Sequence, residues 1–228
     1  REVMQLFTIG LVQLQPDGSL LLDAAGQPIP TSSQATVSET AKLLTGWSWA
    51  ASAATITSES TFLSARTSSN YPAQLPDNSD LLVSMRYYDA FHDKTSKQLV
   101  SLQQVPLATA VPTALPGNQS GPQELSVLLD TLANHPNTGP FISRQLIQRL
   151  VTSNPSAGYV YRVAQVFAND GSGARGNLGA VVRAILTDYE ARSPAVLGNF
   201  GYGKIKEPLL RITALVRALN VSAPNGRF

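Results

Sequence analysis

The sequence predicts a mainly α-helical protein: a multi-helical bundle with a small β-hairpin near the N-terminus and two long irregular loops. Three observations carry this reading. Apolar residues recur at three- and four-residue spacing in five stretches of the second half. Short connections rich in Pro, Gly and Asn separate those stretches, which makes neighbouring helices roughly antiparallel. Two stretches of the first half, 48–80 and 100–122, carry no such period.

The opening REVMQLFTIG reads as the middle of an amphipathic helix, with Val3, Met4, Leu6 and Phe7 apolar, no cap before them and Gly10 as the stop. On that reading 1–228 is one helical domain and the C-terminal part of a longer protein. Its residues 1–122 hold the hairpin, helices and long loops, and 123–228 the regular bundle. LVQLQPDGSLLLD places two apolar segments around Pro16-Asp17-Gly18, which predicts the hairpin. TVSETAKLLTGW offers Thr36 as N-cap, Glu39 as its capping-box partner and Gly46 as terminator, so a helix is expected from about Val37 to Thr45.

From Ser48 to Ser69, 11 of 22 residues are Ser or Thr, which marks a long surface loop. The closely spaced prolines of VPLATAVPTALPGNQSGP predict a second. In the second half, Leu125, Leu128, Leu129 and Leu132 line one face of a helix over 123–134. Phe141, Ile142, Leu146, Ile147, Leu150 and Val151 line the next. Helices over 159–168 and 178–189 follow, and Pro208 opens a last one with Leu209, Ile212, Leu215, Val216 and Leu219.

At 43% hydrophobic residues the chain can bury a sizeable core. Charged residues are only 14%, against about 25% in ordinary soluble domains, a composition that fits a secreted or periplasmic protein. The absence of cysteine excludes disulfides and thiolate metal sites. No apolar run is long enough to span a bilayer. Residues 1–140 carry 6 Lys+Arg against 11 Asp+Glu (net −5) and residues 141–228 carry 11 against 4 (net +7). Because the arginines are spread over several helices, nucleic acid is not the expected partner.

YYDAFHDKTSK is the stretch richest in chemistry, since Asp89, His92 and Asp93 lie close together with Lys94 and Lys97 beside them. An imidazole beside carboxylates can act as a general base or a metal ligand. His135, boxed by Pro136 and Pro140, ends one helix, where a partly cationic ring would meet the helix dipole, and Asn137 or Thr138 caps the next. The candidate catalytic residues are therefore Asp89, His92, Asp93 and His135; no cofactor and no metal is assigned.

Three motif-like strings lack the context that their chemistry needs. GSGARG, 171–176, follows an amphipathic helix, whereas a dinucleotide turn follows a strand. GWSWA, 46–50, follows a helix and enters a loop, the reverse of a nucleophile elbow, and its Trp47 and Trp49 read as an aromatic plug. PDNSD lacks the glycine and the last glutamate of a calcium loop.

REVMQLFTIGLVQL, AKLLTGWSW, FHD, HPNTGPFISRQLIQRLVTSNPSAGYVYRVAQVF, ARGNLGAVVRAIL and GKIKEPLLRITALVRAL, taken in order, resemble the C-terminal part of the bacterial domain-of-unknown-function family numbered eighteen hundred. The resemblance implies a mostly helical, normally larger protein that carries an export signal, hence a periplasmic or extracellular location. It supplies no catalytic residues. The expected function is a structural or binding role at the cell envelope or surface, with the loops at 48–80 and 100–122 meeting a protein partner: its own N-terminal part, another copy or an envelope protein. The alternative is a hydrolase or metal-assisted enzyme using Asp89, His92 and Asp93.

Overall fold

The computed structural model describes residues 1–48 and 84–220. The protein is mainly α, with two small antiparallel strand pairs. In chain order the elements are α1 (Glu2–Gln5), α2 (Gln34–Leu43), β1 (Trp47–Ser48), β2 (Arg86–Tyr87), β3 (Lys97–Leu99), β4 (Thr113–Leu115), α3 (Gly121–Asn134), α4 (Thr138–Leu150), α5 (Ala157–Ala168), α6 (Leu178–Thr187), α7 (Tyr189–Arg192) and α8 (Pro208–Ala218). They divide into two compact units, 1–142 and 143–228.

In the first unit α1 is one turn long, because the amides of Ile9 and Gly10 both return to the Met4 carbonyl and Gly10 turns the chain at φ +72°. The hairpin forms at Pro16-Asp17-Gly18, with Leu14 opposite Leu20, and the chain continues into a third extended segment through bridges Leu22–Pro28 and Val12–Pro30. Prolines at 28 and 30 donate no amide, which holds this layer to isolated bridges.

Helix α2 begins three residues before the sequence-based start. Ser33 accepts the Thr36 amide and is the cap, whereas Glu39 pairs with Lys42 at 2.6 Å. Gly46, at φ +80°, then turns the chain into β1, which pairs with β2 through Trp47–Tyr87 and Ser48–Arg86. β4 lies inside the expected second loop and pairs with β3, Lys97 opposite Leu115. That loop is thus partly ordered by a strand that its prolines flank. Met4, Ile9, Leu43, Leu99, Leu115, Leu128 and Leu132 close the core of this unit. The expected loop 48–80 lies, Ser48 apart, outside the described residues, as do Trp49 and PDNSD.

Helix α3 starts at a capping box, with Gln123 Oε1 accepting the Ser120 amide at 3.1 Å. Its inward face is Gly121, Glu124, Leu128, Thr131 and Leu132, and Leu129 points outward. The corner to α4 falls at His135-Pro136-Asn137, where the sequence places it.

In the second unit α5 and α6 pack through Tyr159, Val160, Val163, Phe167, Val181 and Ile185, and the Tyr159 hydroxyl donates to the Ile185 carbonyl at 2.5 Å. The helix expected to run through Tyr189 is broken at Asp188, whose carboxylate caps α7 by accepting the Glu190 amide. α8 has the predicted start and period, and its Leu209, Ile212, Leu215 and Leu219 are exposed. Leu150 of α4 is exposed as well.

Candidate functional site

The first unit buries a charged cluster. Lys97 leaves β3 inward, opposite Leu115, because the pleat alternates Lys97 and Leu99 in with Gln98 out. Glu124 enters from the first turn of α3 on the stripe that continues as Leu128. Their charged ends meet at 2.9 Å, with no exposed surface on either side chain. Lys97 Nζ also donates to the carbonyls of Asp93 (2.7 Å) and Thr95 (2.9 Å), so all three of its protons are used.

His92 completes the cluster from the segment between β2 and β3. Its Nδ1 lies 3.0 Å from the Thr45 carbonyl, an acceptor, so Nδ1 carries a proton. Its Nε2 lies 3.2 Å from Glu124 Oε2, within ion-pair reach but off hydrogen-bond alignment. Thr45 fixes the ring from behind: its hydroxyl donates to the Lys42 carbonyl (2.6 Å) and accepts the Asp93 amide (2.8 Å). Tyr87 covers the ring edge-on at 5.5 Å between centroids and in turn packs on Trp47 at 5.6 Å, the aromatic contact expected of Trp47. Gly121 is needed here, because a Cβ would stand 2.3 Å from Tyr87 Cε2.

The remaining candidates stand around this cluster. Asp93 approaches Lys97 at 3.8 Å, and its carboxylate accepts the Thr95 hydroxyl and amide, which hold it below the usual carboxylate range. Asp89 is exposed and bonded to Lys94 (2.5 Å) and the Tyr87 hydroxyl (2.6 Å); these two bonds, Lys94 first, lower its pKa. His135 is not part of the cluster. It is buried at the α3–α4 corner, where its Nδ1 accepts the Asn137 amide at 3.1 Å. That nitrogen therefore carries no proton, which replaces the partly cationic ring expected from the sequence with a hydrogen-bonded corner residue.

Asn137 is the residue that this corner is built on. Its Nδ2 donates to the carbonyls of Ile9 (2.8 Å) and Val12 (2.6 Å), and its Oδ1 accepts the Leu14 amide (2.8 Å) and Gln104 Nε2 (3.1 Å). Sequence reasoning offered Asn137 only as a cap and missed Glu124 altogether. The available signal was position: Glu124 stands four residues before Leu128 on an otherwise apolar stripe.

Chemically, the His92–Lys97–Glu124 cluster is closed. A general base must come within about 3 Å of its substrate proton, and side chains without exposed surface cannot do so unless the fold opens. Among the described residues no group of three or more His, Asp or Glu could hold a metal ion. GSGARG is a helix connection. Asp170 accepts the amides of Ser172 and Ala174, and Asn169 those of Gly171 and Gly173, so the amides that could cradle a phosphate already hold side-chain oxygens. Ser48 lies in β1 after a helix, which is not the setting of a nucleophile elbow.

A family model described as "Protein of unknown function (DUF1800)" matches residues 1–227, and the chain belongs to that family. No curated protein and no solved structure matches it.

Proposed function

We propose that this member of the DUF1800 family is an exported protein of the periplasm or cell exterior, with a structural or binding role at the cell envelope. The observation that carries the reading is the closure of its most chemical cluster. His92, Lys97 and Glu124 have no exposed side-chain surface, and Lys97 spends its protons on the protein's own acceptors. Such an arrangement fixes a fold, since a buried charge is tolerated only when paired and hydrogen-bonded. The exposed carboxylate of Asp89 and the half-buried one of Asp93 are likewise held by Tyr87, Lys94 and Thr95. The low charge content supports an extracytoplasmic location.

Fractionation of the source cells tests the location: recovery in the periplasmic, envelope or extracellular fraction is expected, and a purely cytoplasmic protein would refute it. Native mass spectrometry of the same material tests the role. A second copy or a partner chain is expected, lost when residues 48–69 are deleted while helix content stays the same. A monomer that turns over ester or phosphoester substrates would instead require the hydrolase alternative through Asp89, His92 and Asp93.

A further inference from the structure

We propose that α8 docks this protein on an anionic lipid surface, an inference that rests on the envelope reading above and names the partner. Leu210, Thr213, Ala214 and Arg217 of this helix line a groove of about 480 Å³ together with Arg149, Lys204 and Lys206 of the same unit. At 100° per residue, Ile212, Leu215 and Leu219 fall on the opposite side of the helix, and Leu209 falls at its flank. All four are at least 60% exposed. The connection before the helix adds Phe200 and Ile205, both fully or largely exposed. Large apolar side chains thus project from two elements of one unit.

Charge decides what covers them. From residue 191 to the end the chain has six Lys+Arg and one acid, Glu207, and that acid is paired with Arg149 at 3.1 Å. A second copy would bring the same cations to the seam, and like charges oppose that contact. A shaped protein partner would have to match a helix ridge and a separate aromatic protrusion at once. An anionic bilayer needs no matching shape: its acyl region takes the stripe, and its headgroups take Arg211 at the flank together with the lysines. A short helix with an exposed apolar stripe, an arginine at its flank and lysines just before it is the pattern of a segment lying in the interface. No helix among the described residues is long and apolar enough to cross the membrane, so the contact is peripheral.

The test is co-sedimentation of the purified chain with vesicles of phosphatidylcholine alone or mixed with phosphatidylglycerol. Binding is expected on the mixed vesicles only, and it should be released by high salt. Ile212→Asp with Leu215→Asp should weaken it by roughly tenfold or more, and so should Lys206→Glu with Arg211→Glu. These side chains are exposed, so circular dichroism and the melting temperature of both variants should match the parent. Equal binding to both vesicle types, or binding untouched by either variant, overturns the proposal. Self-association that Ile212→Asp abolishes, without vesicle binding, overturns it in favour of a second copy. If the vesicles fail while fractionation still finds the protein in the envelope, only this inference falls; a cytoplasmic protein removes the reading beneath it.

Discussion

Lys97 Nζ and Glu124 Oε1 lie 2.9 Å apart with neither side chain exposed, and His92 stands on the other carboxylate oxygen at 3.2 Å. The pair joins β3 to the first turn of α3 through two residues 27 positions apart in sequence. Removing one member of a buried pair strands the other. Glu124→Ala or Lys97→Met should each lower stability by about 3–5 kcal/mol, read as a fall in the urea midpoint. Lys97→Met combined with Glu124→Ala should cost clearly less than the sum of the two, because no lone charge remains between them. Strict additivity would mean that the two residues act independently.

Asn137→Ala should be as damaging although no charge is lost. The side chain serves Ile9, Val12, Leu14 and Gln104, and each polar group left buried without a partner costs about 1–3 kcal/mol. A total above about 3 kcal/mol is expected. Hydrogen exchange of the Leu14 amide should speed up beyond the change in global stability. An unaltered Leu14 amide would show that the corner does not hold the hairpin layer.

The helices of the second half were legible because their apolar spacing is the same physics that buries them. Pro122 and Pro208 sit in the first turns of α3 and α8 as the sequence indicates. Helix ends were less legible where a side chain chooses between equivalent bonds: Ser33 outcompetes Thr36 as a cap, and Asp188 interrupts a period that continues past it. The charged cluster was half legible. His92 and Asp93 announce themselves by type, whereas Glu124 and Lys97 look like solvated residues until β3 and α3 turn them toward each other. Periodicity also cannot tell a stripe that meets a core from one that meets something else, and Leu209, Ile212 and Leu215 keep the helical period yet stand exposed.

Arg162 holds α5 to the α6–α7 joint. Its Nε and one terminal nitrogen bind the two oxygens of Asp188 at 2.8 and 2.9 Å, and that nitrogen also reaches Glu190 at 2.9 Å. Lysine keeps the charge and loses the fork, so Arg162→Lys isolates geometry from charge. A loss of about 1 kcal/mol is expected, well below the buried pair, because Arg162 is 42% exposed and screened by water. The melting temperature should fall by a few degrees, and Arg162→Ala should add little beyond it. A melt for Arg162→Lys equal to the parent would show that charge alone suffices.

Asp170 gives a pH response with a defined sign. Its carboxylate accepts the Ser172 hydroxyl (2.7 Å), Asn177 Nδ2 (2.7 Å) and two amides, and these bonds, the hydroxyl first, hold its pKa below the ordinary value of 3.8. A carboxyl whose folded pKa is depressed contributes stability that is complete above its unfolded pKa and is lost as pH falls through the folded value. The 169–177 connection should therefore be unchanged down to about pH 4 and loosen below it. Nuclear magnetic resonance of the Ser172 and Ala174 amides through an acid titration reads this directly. In Asp170→Asn the same amides should be pH-independent and already shifted at neutral pH. An identical acid response in parent and variant would place the titrating group elsewhere, and protection of these amides by added phosphate would show that Asp170 leaves the anion site open.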